Sequence, residues 1–320
     1  MFNLFARIGR KKWAQHVVNT TAALTPAIYY GTQMFGLDIL KNVFTAQSSS
    51  GEPELLSEDL QSLINETYEQ IKNTYHIPAL KVASIDEKMF GKRPIKVQWF
   101  CSSTLEPLTF GLTHTTPGVL IGLPTHYNYE KVEDLPDDFF RFNSMTLFTR
   151  LFNKKDRSNE YTSKKTDVSD DSDSFVYIDR NSDLGREYAN SIILSREAKK
   201  YSIARELYLG DSYDLIYRYA ATVASILLSI ALSRGVVRHF RLIDAHVSQR
   251  ISVYILSALV GNIYHNFLIS KITESSIKSA SEQATNISED LKLGCQEYIE
   301  KLDRRRDLLK KITSKSSELN

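Results

Sequence analysis

The densest run of chemically able side chains in this sequence is Leu194 to Leu209, L-S-R-E-A-K-K-Y-S-I-A-R-E-L-Y-L. Ser195, Arg196, Glu197, Lys200, Tyr201, Arg205 and Glu206 all fall within it. Glu197 and Tyr201, Tyr201 and Arg205, and Ser202 and Glu206 stand four residues apart, the spacing that brings side chains together on one helix face. A helix this charged has two readings. It presents a solvated face whose pairs contribute about 0.2–0.5 kcal/mol each, or it turns Arg205 and Glu206 into an interior or an interface. Spacing alone leaves both open. Elsewhere the candidates thin out. His16, His76, His114, His126, His239, His246 and His265 offer no ligand-spaced pair with a nearby acid, and His239 and His246 flank a basic connector, which favours an interfacial position over a metal site. Cys101 and Cys295 belong to no C-x-x-C unit; they exclude a thiolate metal cluster, allow at most one disulfide, and read as buried or inert thiols. Neither a phosphate-binding G-x-x-x-x-G-K-[ST] loop nor a G-x-S-x-G elbow is present. No catalytic residue, no metal ligand and no cofactor is expected.

The elements that must position the charged segment lie directly after it. Tyr219 to Ser233 and Ile251 to Ser270 carry no charge. A span needs about 20 predominantly apolar residues. The second run reaches that length, and the first does so when Arg218 and Arg234 are allowed to snorkel at its two ends. A transmembrane hairpin is the expectation, with a pair of buried core helices as the alternative. Asn262 and His265 lie inside the second run, where polar groups are costly and mark a helix or partner contact, or sit close enough to the end to reach head groups. With 24% charged residues the chain is otherwise water-compatible, and its net charge of +2 gives no case for nucleic acid.

Six regions follow. Residues 1–40 are a basic N-terminus (Arg7, Arg10, Lys11, Lys12, no acid before Trp13) and a candidate membrane anchor from Trp13 to Leu37; the leader suits an uncleaved mitochondrial anchor better than a secretory signal. Residues 41–152 form a soluble α+β region. It contains an amphipathic helix over Leu55 to Tyr75, strands within Lys96 to Thr113, and a short strand at Val119 to Leu123 ended by Pro124. Residues 153–174 are too polar to offset the entropy of ordering and are expected to be a disordered insertion. Residues 175–214 hold a resumed strand at Phe175 to Ile178 and the charged helix, 215–270 the hairpin, and 271–320 C-terminal helices. In the last region Arg304, Arg305, Arg306, Lys310 and Lys311 interleave with Asp303 and Asp307, the pattern of a surface laced with ion pairs. The hairpin connector holds Arg234, Arg238, Arg241 and Arg250 against Asp244, so it is expected on the side from which insertion occurs. With an N-terminal span, residues 40–213 and the C-terminal helices would share the opposite side.

Ser191 to Leu209, S-I-I-L-S-R-E-A-K-K-Y-S-I-A-R-E-L-Y-L, resembles the signature of the transmembrane protein 177 family. V-L-I-G-L-P (Val119 to Pro124), the apolar hairpin and G-C-Q-E-Y-I-E-K-L (Gly294 to Leu302) match in order and spacing. The resemblance implies a multi-pass protein of the mitochondrial inner membrane. Its partners would be cytochrome c oxidase subunit 2 and the membrane chaperone of that subunit, besides the lipid bilayer. The polar insertion after Asn153 departs from the family, as does an end at Asn320 without a further Pro-containing tail.

The same segment is similar to the motif helix of membrane zinc peptidases of the HtpX type, in which H-E-x-x-H places two histidines one turn apart on zinc. Here Arg205 and Leu209 stand at the ligand positions and Glu206 alone is kept; a guanidinium stays protonated and an isobutyl group has no donor atom. The expectation is an α+β, mostly helical fold: a degenerate zinc-peptidase-like soluble domain with a transmembrane hairpin and a candidate N-terminal span. Its role would be non-enzymatic, an assembly or stabilisation factor in which Ser195, Arg196, Glu197, Tyr201, Arg205 and Glu206 form a structural or partner-binding cluster. A diverged membrane peptidase and a structural membrane tether are the alternatives.

Overall fold

The computed structural model describes residues 28, 30–33, 36–47, 51–74, 97–113, 115, 117–143, 175–242 and 246–318. The basic leader, most of the candidate anchor, the polar insertion, and His16, His76 and His114 lie outside them. In chain order the elements are α1 (Leu37–Phe44), α2 (Glu58–Thr74), β1 (Val97–Ser102), β2 (Leu108–Gly111), β3 (Val119–Pro124), β4 (Arg141–Asn143) and β5 (Phe175–Tyr177). The helices α3 (Asp183–Ile192), α4 (Arg196–Asp211), α5 (Asp214–His239), α6 (Val247–Thr285) and α7 (Glu289–Glu318) complete the chain. The fold is mostly helical around a small sheet, in keeping with the α+β expectation.

Two units divide the chain. Residues 38–212 and 277–320 make the first. Its sheet runs β1-β3-β2, with β3 parallel to β1 and antiparallel to β2. The uninterrupted apolar run V-L-I-G-L-P suits the central position, and every residue of β3 is buried. In α2 the 3.6-residue period puts Leu60, Leu63, Ile64, Thr67 and Ile71 on the covered face. Ser57 caps that helix through the Leu60 amide at 3.2 Å. Glu58 and Asp59 in the first turn complement the helix dipole. Leu63, Ile64 and Ile71 join Val119, Ile121 and Leu123, the α4 residues Ala198, Tyr201, Ala204 and Tyr208, and Tyr298 of α7 in one apolar cluster. A second cluster gathers Leu135, Phe140, Tyr188, Ile192, Leu308, Leu309 and Ile312. β4 pairs antiparallel with β5, where the resumed strand was expected.

Residues 1–37 and 213–276 make the other unit, the hairpin of α5 and α6. Both helices are long and apolar enough to cross a membrane. Ile255, Leu256, Leu259, Ile263 and Phe267 of α6 and Leu227 of α5 are exposed, Ile263 to 70%. Core helices of a water-soluble domain would bury such side chains, so the core-helix alternative fails on exposure. The two helices meet through small residues. Ala221, Ser225 and Ser233 of α5 and Ser257 of α6 are buried. A Cβ on Gly261 would collide with Ser229 Oγ and fall 3.1 Å from the Ser225 carbonyl. Only glycine permits that approach, the small-residue device by which membrane helices pack. At one end Asp214 binds Arg218 at 2.6 Å and accepts from Ser276 at 2.8 Å, while Tyr30 Oη lies 3.0 Å from Thr222 Oγ1.

The structure differs from the sequence reading at the end of the second span. Apolar character stops at Ser270, but α6 continues to Thr285. The residues from Lys271 onward change polarity and not helix propensity, and no Gly or Pro interrupts them.

Candidate functional site

Ser195 starts α4 as its N-cap, accepting from the Ala198 amide at 3.2 Å. Its own hydroxyl donates to Glu297 Oε2 and its amide to Glu297 Oε1 at 3.0 Å. Glu297 also binds Lys301 at 2.8 Å, and Lys301 reaches the Ile193 carbonyl at 2.6 Å. Burial works against the charged form of Glu297, but Lys301 and the two donors of Ser195 outweigh it and hold the carboxyl below the usual range. Gly294 lets α7 come this close, because a Cβ there would collide with the Glu197 carbonyl.

One turn and more along, α4 is buried on nearly all sides. Tyr201, Ser202, Ile203, Ala204, Arg205, Glu206, Leu207 and Tyr208 are all covered. Neighbouring residues on a helix do not normally face each other. Yet Arg205 Nε donates to Glu206 Oε1 at 2.9 Å, and Nη2 donates to the same oxygen. Glu206 Oε2 accepts from Thr109 of β2 at 2.8 Å. The guanidinium also donates to Tyr298 Oη at 3.1 Å and lies 4.8 Å from the centre of that ring, within cation–π range. Tyr298 packs 5.7 Å from Tyr201, whose hydroxyl is pushed above its ordinary range by burial and by a hydrogen bond with Cys295. Tyr127 donates to Ser202 at 2.8 Å. The ion pair is thus a latch that joins α4 to β2 on one side and to α7 on the other. Both Glu206 oxygens are engaged within it.

The rest of the signature is mixed: Ala198 and Lys199 are buried, and Lys199 donates to the Tyr129 carbonyl at 2.9 Å. Arg196 and Glu197 are exposed, and Glu66 of α2 takes both Arg196 and Lys200 at 2.5 Å. The two cations hold the Glu66 carboxyl below its ordinary range, the Lys200 bond contributing most. So the six candidate residues divide: Tyr201, Arg205 and Glu206 inside, Ser195 at the cap, Arg196 and Glu197 on the surface. Asn262 and His265 belong to the hairpin unit, on α6, the first exposed and the second half-buried.

Sequence reasoning did not single out Thr109, Glu297, Tyr298 or Lys301, although three of them stand in the G-C-Q-E-Y-I-E-K-L stretch. It also grouped Arg305 with a surface cluster. Arg304 and Arg306 do pair outward, with Glu187 at 3.1 Å and Glu106 at 3.3 Å. Arg305 instead is buried and donates to the Leu105 and Ser191 carbonyls at 2.9 and 2.8 Å. His126 is buried as well, with neither ring nitrogen hydrogen-bonded among the described residues. Burial first, then the charges of Arg305 and Lys199, hold its pKa far below 6.5. Cys101 and Cys295 are free thiols; burial and the Glu54 charge push the Cys101 thiol up to about 12.

A comparison with family models matches the transmembrane protein 177 family over residues 140–319, more than half of the chain. The chain belongs to the transmembrane protein 177 family. The match covers α3, the signature helix, both hairpin helices and all of α7. With two helices long and apolar enough to span, transmembrane protein 177 membership makes this a membrane protein. No match was found among curated proteins or among solved structures.

Proposed function

We propose that this protein is a non-enzymatic assembly and stabilisation factor of the mitochondrial inner membrane, binding the membrane chaperone of newly made cytochrome c oxidase subunit 2. The observation that carries the reading is the uncovered apolar surface of the hairpin. Leu227, Ile255, Leu256, Leu259, Ile263 and Phe267 form faces that can take lipid or a partner's spans. The mitochondrial placement and the partner come from the family resemblance of the signature and its companion motifs. The assignment of a binding role draws support from the latch: Glu206, at the position where a peptidase would activate water, is held by Arg205 and Thr109. In this reading the α4 region is a peptidase-like scaffold reused for holding a polypeptide, and the connector faces the matrix while both parts of the soluble unit face the intermembrane space.

Affinity purification of the tagged full chain from detergent-solubilised mitochondria tests the role. Recovery of oxidase subunit 2 with its chaperone is expected; their absence under conditions that keep the fold intact overturns the proposal. Stoichiometric zinc in the purified protein, together with a peptide-hydrolysing activity lost on Glu206→Gln, would replace it with a peptidase.

A further inference from the structure

We infer that the tip of the hairpin is a binding site for the phosphate of an anionic phospholipid head group. The inference rests on the hairpin lying in a bilayer and is independent of the assembly role. Arg234 and Arg238 stand one turn apart at the end of α5, Arg241 lies in the turn, and Arg250 is in the first turns of α6. Among the described residues no carboxylate pairs with any of the four. The connector's single acid, Asp244, leaves it strongly cationic. The contrast with α7 is direct, because there Lys301, Arg304, Arg306 and Lys310 each have an acidic partner.

The backbone supplies a second, independent observation. α5 ends with the Leu242 amide on the Val237 carbonyl at 2.9 Å and the Arg241 amide on the Arg238 carbonyl at 3.3 Å. That double closure requires a left-handed residue between, a place normally given to glycine. Arg241 occupies it at φ 50. A side chain kept where the backbone disfavours it points to a task for the side chain. Phe240, 64% exposed, stands beside it. It serves as an aromatic foot at the depth where the apolar helices end. Guanidinium groups bind phosphate through paired N–H donors, and a cationic tip on two apolar helices lies in the plane of lipid phosphates. A head group of net negative charge fits it better than a zwitterionic one.

The test uses the full chain in a nonionic detergent, mixed with equal amounts of phosphatidylglycerol and phosphatidylcholine. Gel filtration follows, and the retained lipid is counted by mass spectrometry. Phosphatidylglycerol should be enriched about tenfold, the enrichment falling steeply with added salt. Arg241→Gly should keep or raise thermal stability, since glycine relieves the backbone, while weakening the enrichment. The combined R234Q/R238Q/R241Q/R250Q variant should abolish it, and R304Q/R306Q/K310Q should leave it unchanged. Absence of enrichment in the natural chain overturns the inference, as does equal loss in the α7 variant. Displacement of the lipid by inorganic phosphate would overturn the lipid assignment, showing a site for the free anion.

Discussion

Helix α4 carries Arg196, Glu197, Lys199, Lys200, Arg205 and Glu206, yet most of its length is buried; the Ile251 to Ser270 stretch of α6 carries no charge, yet its large side chains are largely exposed. Polarity and exposure have changed places. The difference follows from what surrounds each helix. In α4 the inward Arg205 and Glu206 neutralise one another and meet Thr109 and Tyr298, and the buried Lys199 donates to the Tyr129 carbonyl at 2.9 Å, so their transfer from water is compensated by hydrogen bonds. In α6 the exposed surface is apolar because the medium it is built for is apolar, and small residues rather than large ones mediate helix contact.

The sharpest way to break the comparison is to leave half of the latch in place. Arg205→Ala strands Glu206 in the interior, and a loss of about 3–5 kcal/mol in stability is expected, read by chemical denaturation with Trp99 fluorescence. Arg205→Met with Glu206→Leu should recover much of it, because an apolar pair has no charge left to desolvate. A loss below about 1 kcal/mol for the single variant would place the pair at a solvated surface.

The hairpin side is sharpened by one charge on each kind of exposed apolar residue. Ile263→Lys should cost about 2.5–3.5 kcal/mol of insertion free energy, seen as a fall in the protease-protected fraction. Leu293 is an exposed residue of α7. There Leu293→Lys should stay within about 0.5 kcal/mol. Equal effects would mean that both residues face water.

The smallest effect concerns His126. Its folded pKa lies far below the unfolded value of 6.5, so its contribution to stability is intact above pH 6.5. It is lost as pH falls below that, by about 1.4 kcal/mol per pH unit, because only the unfolded chain then takes up the proton. Denaturation midpoints of the natural chain should drop between neutral and mildly acidic buffer, and His126→Phe should flatten that slope.

Much of this architecture can be read from residue types. The uncharged runs announce the hairpin, and V-L-I-G-L-P announces a buried strand, because each is decided by local composition. Burial of α4 is not legible in the same way. Its charges lie around the whole helix, and only the partners at Thr109 and Tyr298, distant in sequence, decide which of them turn inward. The end of α6 escapes for another reason: a change from apolar to polar residues marks where a membrane ends and says nothing about where a helix does. Arg305 was read with its neighbours Arg304 and Arg306, and a helix turns each of three consecutive residues in a different direction.

The sheet-bearing unit is assembled from two lengths of chain with the hairpin inserted between them. Arg305 joins the Leu105 carbonyl across 200 positions, and Tyr298 and Glu297 reach α4 across about half that distance. During synthesis the strands and α4 emerge first, while Tyr298, which meets Arg205, and Glu297, which binds the Ser195 cap, have yet to be made. The unit can close only after both hairpin helices have left the ribosome, so completion of its fold reports that the membrane segment has already been produced.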